Sequence, residues 1–273
     1  MRRPLRRPPA RLLRAETAKA EVPSWHSART PAADPATMTV FAAPARLPAG
    51  MRLYAIGDIH GCGRELAALH EAIASDLARR PVRAATVVHL GDYFDHGPDS
   101  AAVLARLSGL SDLGGAHVVL LLGDHEQMLI DALAGDRAAA TDWLHSGGEA
   151  TLASFGIAPG APRETWATAL PAALPAFLRA LAPSHRTGGY LFVHAGVRPG
   201  VPLDRQATED LVGIRQPFLS TEQDFGAVVV HGHTPVTLPA IRPNRIALDT
   251  GAGLSGRLTC AVLETDTVGF FWA

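Results

Sequence analysis

Five apolar runs in this chain each end on a short cluster of glycine with aspartate or histidine. These clusters are Gly57-Asp58-Ile59-His60-Gly61, Gly91-Asp92-Tyr93-Phe94-Asp95-His96-Gly97, Gly123-Asp124-His125-Glu126, His194-Ala195-Gly196 and His231-Gly232-His233-Thr234. Polar side chains that follow neighbouring strands converge at one edge of a sheet. Oxygen and nitrogen ligands from several such loops can bind two divalent cations side by side. The pattern therefore predicts a metal site that is assembled from distant parts of the chain.

The first half of the chain alternates between strand and helix patterns. Leu66, Leu69 and Ile73 recur at helical spacing, which predicts an amphipathic helix over residues 63–79. We predict strands over 53–56, 86–90 and 117–122, and further helices over 100–110 and 126–133. This alternation is typical of an α/β fold with a largely parallel sheet.

The second half departs from this alternation. Residues 136–186 are rich in alanine and interrupted by prolines, and we interpret them as a helical insertion that covers part of the sheet edge. Strands over 190–193 and 227–230 are each predicted to lead into a histidine. The C-terminal tail predicts antiparallel strands over 245–248, 258–263 and 268–272.

The composition favours one domain in a reducing compartment. Of the 273 residues, 47% are hydrophobic, which is enough for a sizeable core. The formal net charge of −1 gives no general attraction to nucleic acid or to an anionic membrane. No stretch approaches the ~20 apolar residues that are needed to span a bilayer. Cys62 and Cys260 alone make no disulfide framework, so we expect a cytoplasmic location, with Cys62 a packed residue rather than a ligand.

Residues 1–50 form a basic, proline-rich extension without a steady period. Residues 1–37 carry seven arginines and one lysine against three acidic residues, a net charge of +5. No apolar segment of a signal peptide follows the arginine pairs, so we do not expect secretion. Two interpretations stay open: a disordered basic extension, or a start codon assigned too early, with Met38 or Met51 as the first residue. Both leave residues 51–273 as a single folded domain.

Several residues have the chemistry of metal ligands before any family is considered. Asp58 and His60 are two positions apart at a strand end, so both side chains point the same way and can bind one cation. Asp92 follows another strand and could bridge two cations with its two oxygens. His194 and His231 each follow an apolar strand. A metal site accounts for all five positions together.

Taken as a set, these clusters resemble those of the calcineurin-like metallophosphoesterases, specifically the phosphoprotein phosphatase family with its bacterial members. The family pattern is GDxHG, GDxxDRG, GNHE, HAG and HGHT, and this chain has GDIHG, GDYFDHG, GDHE, HAG and HGHT. The resemblance covers residues 52 to about 265. It implies an α/β/β/α sandwich of two mixed sheets flanked by helices. It also implies two divalent metal ions, with Mn²⁺ expected first and Fe or Zn²⁺ accepted by the same ligands.

The resemblance also implies a role for each matching residue. The implied metal ligands are Asp58 and His60 for the first ion, Asp92 as the bridge, and Asp124, His194 and His231 for the second ion. The implied catalytic pair is His125, a general acid that protonates the leaving oxygen, and Asp95, which orients it. The implied phosphate-binding residues are Arg215, His96 and His233.

Three positions depart from the family pattern. Asp124 replaces an asparagine, which should tighten metal binding and weaken the Lewis acidity of the ion. His96 replaces an arginine, which should weaken the grip on phosphate because an imidazole is mostly neutral near pH 7. Gly213 stands where bacterial relatives tend to carry tryptophan. These changes leave the core ligands in place.

The leading functional hypothesis is a metal-dependent phosphatase that hydrolyses phosphomonoesters, with phosphoserine and phosphothreonine proteins as its substrates. The alternative is a hydrolase of the symmetrical dinucleoside tetraphosphatase type, and a third hypothesis is a weakened metal-binding scaffold. Tetraphosphatases tend to lack an acid at the position of Asp95 and to end the third motif in Asp, so Asp95 and Glu126 favour the phosphatase. The expected partner is a phosphoprotein or a small phosphorylated substrate. The sequence does not predict an oligomeric state.

Overall fold

The computed structural model describes Pro35 and residues 38–158, 160–254 and 256–273. The strands are β1 Val40–Ala42, β2 Met51–Ile56, β3 Ala84–His89, β4 Asp112–Leu113, β5 Ala116–Leu120, β6 His185–Thr187, β7 Tyr190–Phe192, β8 Val228–His231, β9 Ala240–Arg242, β10 Arg245–Ala247, β11 Thr259–Glu264 and β12 Thr267–Trp272. The α-helices are α1 Gly63–Arg79, α2 Ser100–Leu107, α3 Asp124–Ala134, α4 Arg137–Trp143, α5 Glu149–Ser154, α6 Trp166–Ala169, α7 Leu174–Arg179 and α8 Thr208–Gly213. A kinked turn, Leu144–Gly148, in which Gly147 has a φ of +98°, joins α4 to α5.

The strands form two mixed sheets. The larger sheet has seven strands in the order β1-β12-β11-β2-β3-β5-β4, and the smaller has five in the order β6-β7-β8-β10-β9. In each sheet the central strands are parallel: β2, β3 and β5 in the larger, and β7, β8 and β10 in the smaller. The outer strands pair antiparallel. Parallel central strands bring the polar clusters that follow them to the same end of the molecule.

Alternating side chains of these strands bury both faces of each sheet. From β2, Tyr54 and Ile56 enter a core that includes residues of α1, α2 and α3, whereas Leu53 and Ala55 enter a second core. That second core contains residues of β7, β8 and β10, so the two sheets pack face to face. A third core lies on the far side of the smaller sheet and includes residues of β7, β8 and α8. The layers are therefore helix, sheet, sheet and helix, as the resemblance implied.

The helix prediction for residues 63–79 is confirmed, because α1 spans Gly63–Arg79 and buries its periodic apolar face. The helix that was predicted over 100–110 ends at Leu107. Its N-terminus is capped by Asp99, whose Oδ1 accepts a hydrogen bond from the backbone N–H of Ala102 at 3.1 Å. The remaining early strands and helices lie within a few residues of their predicted bounds.

The 136–186 insertion is helical over most of its described length, and it packs mainly on helices. Its apolar residues join the first core, among them Trp143, Trp166 and Phe177. Ala182 of the insertion forms a parallel bridge with Leu121, just after β5, and this bridge connects the insertion to the larger sheet. The predicted C-terminal bound of the helical segment is wrong, because residues 185–187 form strand β6. Pro159, one of the prolines within it, lies outside the described residues.

The prediction for residues 1–50 needs correction at its C-terminal end. Residues 40–42 form strand β1, which pairs antiparallel with β12. Leu47 is buried, and the Tyr190 hydroxyl of the smaller sheet donates a hydrogen bond to the carbonyl of Ala45 at 2.7 Å. Residues 38–50 are therefore part of the folded domain rather than of an extension. Apart from Pro35, the extension before Met38 lies outside the described residues, and both interpretations of it stay predictions.

The antiparallel tail is confirmed for β11 and β12 and only in part for residues 245–248. The β11 and β12 strands form the predicted hairpin in the larger sheet. The β10 strand lies instead in the smaller sheet, parallel to β8 and antiparallel to β9. Among the residues that the structure describes, none of the helices has the length and apolar character of a membrane-spanning segment.

Candidate metal centre

The ends of β2 and β3 interlock through their backbones. Ile56 of β2 is in register with His89 of β3, and the first two motifs follow these two residues. The carbonyl of Asp92 accepts hydrogen bonds from the backbone N–H groups of Ile59 and His60, at 2.9 and 2.8 Å. This backbone pairing places Asp58, His60 and Asp92 together.

Asp58, His60 and Asp92 form the first group of side chains that could hold a metal ion, with ligand atoms within 4.8 Å of one another. The Nδ1–H of His60 donates a hydrogen bond to the carbonyl of Phe94 at 2.9 Å, which leaves Nε2 with a lone pair. That Nε2 lies 3.5 Å from Oδ2 of Asp92. Oδ1 of Asp58 is buried and has no hydrogen-bond partner among the described residues. A buried anionic oxygen and a free imidazole lone pair thus face the same volume.

The second group consists of Asp92, Asp124, His194 and His233. The Nδ1–H of His194 donates to the carbonyl of Leu90 at 2.9 Å, so its Nε2 faces the site. Nε2 of His194 lies 2.9 Å from Oδ1 of Asp124 and 3.4 Å from Oδ1 of Asp92. Nδ1 of His233 lies 3.0 Å from Oδ1 of Asp124.

Asp92 belongs to both groups and offers each a different oxygen. Oδ2 lies towards His60 of the first group, and Oδ1 lies towards His194 of the second. A carboxylate that presents its two oxygens to two neighbouring groups has the geometry of a bridging ligand. The arrangement matches the role that the resemblance implied for Asp92.

The last motif differs from the sequence prediction, because the second group contains His233 and not His231. His231 ends strand β8, is 1% exposed, and packs edge-on against the Phe218 ring at 5.1 Å between ring centroids. Burial lowers the pKa of His231 to about 4. The chain then turns through Gly232 and places His233 at a φ of +62°, which directs its ring to Asp124. His233 is thus the histidine of the last motif that joins the second group. Nε2 of His231 is also buried without a hydrogen-bond partner among the described residues, and the roles predicted for both histidines stay predictions.

The residues of the two groups fit two divalent cations. Oδ1 of Asp58 and Nε2 of His233 are both buried and lack a hydrogen-bond partner among the described residues. Burial is the main cause that raises the pKa of Asp58 well above its ordinary value, and the neighbouring Asp249 carboxylate raises it further. A bound cation reduces the electrostatic repulsion between carboxylates that are clustered in this way. The mixed oxygen and nitrogen donors suit Mn²⁺, Fe or Zn²⁺ alike.

His125 and Asp95 form a hydrogen-bonded pair beside the two groups. Nδ1 of His125 lies 2.7 Å from Oδ2 of Asp95, and its Nε2 lies 3.9 Å from Oδ2 of Asp92. Burial alone would lower the pKa of His125, but the Asp92 and Asp95 carboxylates raise it to about 10. A cation bound at Asp92 would oppose that shift, because like charges repel. In the absence of such a cation, His125 stays protonated throughout the neutral pH range.

Four further residues support the site, and the motifs did not identify these roles. Glu126 is fully buried and accepts the backbone N–H groups of Asp92 and Tyr93, both at 2.9 Å. Asp249 is 3% exposed, and its Oδ1 accepts the N–H of Gly251 at 2.9 Å. Trp143 and Thr151 donate hydrogen bonds to Asp95. The Glu at the end of GDHE could have suggested the first role, whereas no local signal marks the other three.

The backbone of the site is conformationally unusual. Six non-glycine residues in the described part of the chain have a positive φ, and five of them lie in the motifs, namely His60, Asp92, Asp95, His96 and His233. A Cβ on Gly232 would lie 1.9 Å from Oδ1 of Asp58, and one on Gly123 would lie 2.2 Å from Oδ1 of Asp92. Left-handed backbone outside glycine is costly and collects at functional sites. The motif glycines are required here because the backbone approaches the ligand oxygens so closely.

The three predicted phosphate-binding residues lie near the two groups. His96 is exposed, and its ring contacts those of His60 and His125, with centroids 4.9 and 5.3 Å apart. Burial of part of the ring, and the neighbouring imidazoles, lower the pKa of His96, so it is a neutral donor at pH 7. The Arg215 guanidinium donates to the Thr234 hydroxyl at 3.3 Å, next to His233. As phosphate ligands, all three residues stay predictions.

Known proteins support the same family. A family model described as calcineurin-like phosphoesterase matches residues 51–256. The chain is 28% identical over 231 residues to the asymmetrical bis(5'-nucleosyl)-tetraphosphatase PrpE of Geobacillus thermodenitrificans, which covers 77% of this chain and 89% of that protein. It is 30% identical over 153 residues to a symmetrical bis(5'-nucleosyl)-tetraphosphatase of Methylococcus capsulatus, covering 55% of this chain and 44% of the relative.

Two further matches are shorter or more distant. Serine/threonine-protein phosphatase 1 of Salmonella typhimurium is 33% identical over 97 residues, which cover 36% of this chain and 39% of that protein. Several relatives are thus matched over less than half of their own length. Among solved structures, one proposed to be a diadenosine tetraphosphatase superimposes with a TM-score of 0.59 at 22% identity, covering 84% of this chain and 98% of the other. That last likeness concerns the fold alone.

Proposed function

The chain belongs to the calcineurin-like phosphoesterase family, and on that premise we propose that it hydrolyses phosphomonoesters with two bound divalent ions. We propose phosphoserine and phosphothreonine proteins as the substrate class. The match to a serine/threonine-protein phosphatase supports this choice over a limited length.

The observation that carries the proposal is the pairing of His125 with Asp95 at 2.7 Å. The leaving group of a phosphoserine is an alkoxide, a strong base that needs a proton as the P–O bond breaks. A nucleotide that leaves from a phosphoric anhydride is a weak base and needs none. A buried carboxylate that holds an imidazole by a hydrogen bond beside the two groups of metal-type residues is therefore of use to a phosphomonoesterase above all.

Each remaining residue has a definite task in this proposal. Asp58, His60 and the bridging Asp92 would hold one ion, while Asp124, His194 and His233 together with Asp92 would hold the other. When bound, two such ions neutralise the phosphoryl oxygens and lower the pKa of a water molecule so that it can attack phosphorus. His125 gives its Nε2 proton to the leaving oxygen, and Asp95 holds the ring through Nδ1. Arg215 and His96 donate hydrogen bonds to the phosphate.

A second candidate is the hydrolysis of dinucleoside tetraphosphates. It is favoured by the relatives that match most of this chain, which are bis(5'-nucleosyl)-tetraphosphatases covering 77% and 78% of it. The binuclear ligand set serves an anhydride as well as an ester, because the same charges develop on the phosphoryl oxygens. This candidate differs from the first in making the His125–Asp95 pair dispensable.

We also propose a cytoplasmic location. Cys62 and Cys260 are both free thiols, which supports a reducing compartment.

The test is a parallel assay of the Mn²⁺-loaded protein on a phosphoserine peptide, 4-nitrophenyl phosphate and diadenosine tetraphosphate. We expect the largest kcat/KM on the phosphomonoesters, with His125→Ala slowing the peptide far more than the aryl ester, whose phenolate leaves without help. Turnover of the tetraphosphate alone would favour the second candidate, and its products, two ADP or ATP with AMP, would tell the symmetrical cut from the asymmetrical. No turnover on any substrate with two ions bound would leave only a metal-binding scaffold.

A further inference from the structure

The carboxylate of Asp95 is surrounded by donors, and two of them come from the 136–186 insertion. Oδ2 accepts the indole N–H of Trp143 at 2.8 Å, in addition to Nδ1–H of His125 at 2.7 Å. Oδ1 accepts the hydroxyl of Thr151 at 2.6 Å. Asp95, Trp143 and Thr151 are each fully buried, so no bulk water competes for these bonds.

Thr151 contacts Asp95 twice. While its O–H donates to the carboxylate, its oxygen accepts the backbone N–H of Asp95 at 2.8 Å. Oγ of Ser100, at the start of α2, lies 3.1 Å from the same oxygen and completes its contacts. One hydroxyl thereby holds both the backbone and the side chain of a residue whose φ is +71°.

Trp143 has little freedom to move. Its ring packs against the Trp166 ring at 5.4 Å between centroids. Gly148 lies so close beneath it that a Cβ there would be 2.5 Å from the indole. The kinked turn between Trp143 and Thr151 also reaches the site, because the carbonyl of Gly147 accepts the backbone N–H of His96 at 3.3 Å.

We propose that Trp143 and Thr151 are positioning residues, which hold the Asp95 carboxylate in the one orientation that keeps the His125 ring aimed at the leaving oxygen. The inference rests on the proposed function and assigns to the insertion a part in the chemistry. Asp95 needs such support because its backbone conformation is unfavourable and its side chain must accept along a fixed direction. Without the two donors the carboxylate can rotate, and the imidazole rotates with it.

The experiment compares Trp143→Phe and Thr151→Val with wild type on a phosphoserine peptide and on 4-nitrophenyl phosphate. Phe keeps the ring and loses the N–H, and Val keeps the shape and loses the hydroxyl. We expect kcat on the peptide to fall by about 10-fold or more, with an upper limit at the ~10²–10⁴ that a general acid supplies. KM should stay unchanged, and the aryl ester should be nearly unaffected. Thr151→Ser, which restores the hydroxyl, should return the peptide rate to near the wild-type value.

Trp166→Phe is the matched control. Trp166 is a buried tryptophan of the same insertion, but its N–H donates to the carbonyl of Ala161 at 3.1 Å and not to Asp95. If the loss of an indole acted only by disturbing the packing, Trp166→Phe and Trp143→Phe would lose activity to the same extent, on both substrates. In a His125→Ala background, Trp143→Phe should bring no further loss on the peptide, because both act through the same proton.

A second readout does not depend on turnover. In wild type the Nδ1–H proton of His125 should give a protected, downfield NMR signal, and this should be lost in Trp143→Phe and Thr151→Val but kept in Trp166→Phe. If His125→Ala separates the two substrates while neither positioning variant does, and the signal persists in both, the inference is overturned and the proposed function stands. If His125→Ala fails to separate them, it is the proposed function that fails.

Discussion

Strand β2 has a buried polar cluster at each of its ends, and the two clusters are built differently. The Arg52 network at its start consists of Arg52, Tyr54, Asp76, Arg80 and Glu264. The metal centre beyond its other end consists of Asp58, His60, Asp92, Asp124, His194 and His233. Both clusters are rich in charge and lie on the same strand, so only the pairing of their atoms distinguishes them.

The Arg52 network is closed. The Arg52 guanidinium, 3% exposed, donates to Glu264 at 2.9 and 3.2 Å and to the carbonyl of Arg80 at 2.7 Å. Asp76 accepts from Arg80 with both oxygens at 2.7 Å, and Tyr54 donates to Asp76 at 2.5 Å. Hydrogen bonds to these donors lower the pKa of Asp76 although burial opposes the shift. Cation and carboxylate charges match within the cluster.

The metal centre, by contrast, contains buried polar atoms that have no hydrogen-bond partner in the described part of the chain. Oδ1 of Asp58 and Nε2 of His233 have no partner among the described residues, and burial together with Asp249 raises the pKa of Asp58. The backbone at His60, Asp92 and His233 is left-handed. A buried charge without a partner is destabilising unless something binds it. Between these two clusters the difference is therefore the incomplete pairing of charged groups, although Nε2 of His231 and Nδ1 of His89 are also buried without a partner within the described ranges.

The largest expected effect comes from opening the closed cluster. Arg52→Met should reduce the free energy of unfolding by about 3–5 kcal/mol, because it leaves Asp76 and Glu264 short of a partner. Asp58→Asn, measured in EDTA, should cause no loss, because it removes a carboxylate whose charge is already unmatched. Urea unfolding of both variants makes the comparison. Equal losses in the two would contradict the distinction between the clusters.

Added metal should stabilise the protein through the metal centre and not through the Arg52 network. Mn²⁺ at a hundred times its Kd should stabilise wild type by about 2.7 kcal/mol, since it binds only the folded state. Arg52→Met should keep the same increment, whereas Asp92→Asn should lose most of it. Thermal unfolding with and without Mn²⁺ measures the difference. An undiminished increment in Asp92→Asn would remove the bridging role from this residue.

The buried pair of His70 and His89 lies away from both clusters and tests how burial of titratable groups affects stability. Nε2 of His70 and Nε2 of His89 lie 2.9 Å apart, and burial lowers the pKa of His70 to about 4 and that of His89 well below its ordinary value. The unfolded chain takes up protons near pH 6.5 and the folded chain does not, so stability should fall as the pH drops from about 6.5 towards 4. We expect each histidine to contribute a loss of about 2–3 kcal/mol from pH 7 to pH 4.5, given ~1.4 kcal/mol per pKa unit. Replacing both histidines with leucine should flatten this part of the urea-unfolding profile, and an unchanged slope would assign it to other groups.

The smallest expected effects concern two of the three departures from the family pattern. Asp124→Asn removes a negative charge that hydrogen bonds from His194 and His233 keep ionised, and His96→Arg restores a fixed cation. Each should raise the turnover of phosphomonoesters by about 2–10-fold, that is ~0.4–1.4 kcal/mol in the barrier. Steady-state kinetics on 4-nitrophenyl phosphate checks both. If turnover stays flat or falls in both variants, the acid and the imidazole are adaptations rather than losses.

Local patterns predicted the elements with strong periodicity. Leu66, Leu69 and Ile73 lie on one face of α1, and that helix was predicted at its observed bounds. Strand β1 was missed because Val40 and Phe41 are 51% and 48% exposed, so three residues gave no alternating pattern beside a proline-rich segment. The position of β10 was missed for another reason: its partner β8 lies 14 residues or more away in the chain, and the choice of sheet depends on that distant pairing.

The candidate site was predictable where the ligand follows its strand directly. Asp58, His60, Asp92 and His194 all do so, and the structure brings them together. The choice between His231 and His233 depends on the left-handed turn at the second histidine, which residue types alone do not reveal. Trp143 and Thr151 are 48 and 56 residues from Asp95, so only the folded insertion shows their contact.

Strand β1 has a consequence for how this protein behaves when it is shortened. It pairs with Thr267, Val268 and Gly269, and so covers the first half of the outer side of β12. A polypeptide that begins at Met51 would expose the hydrogen-bonding groups of β12 to other molecules, and unpaired strand edges promote self-association. One that begins at Met38 keeps that edge covered, so the two candidate start codons should yield proteins that differ in solubility.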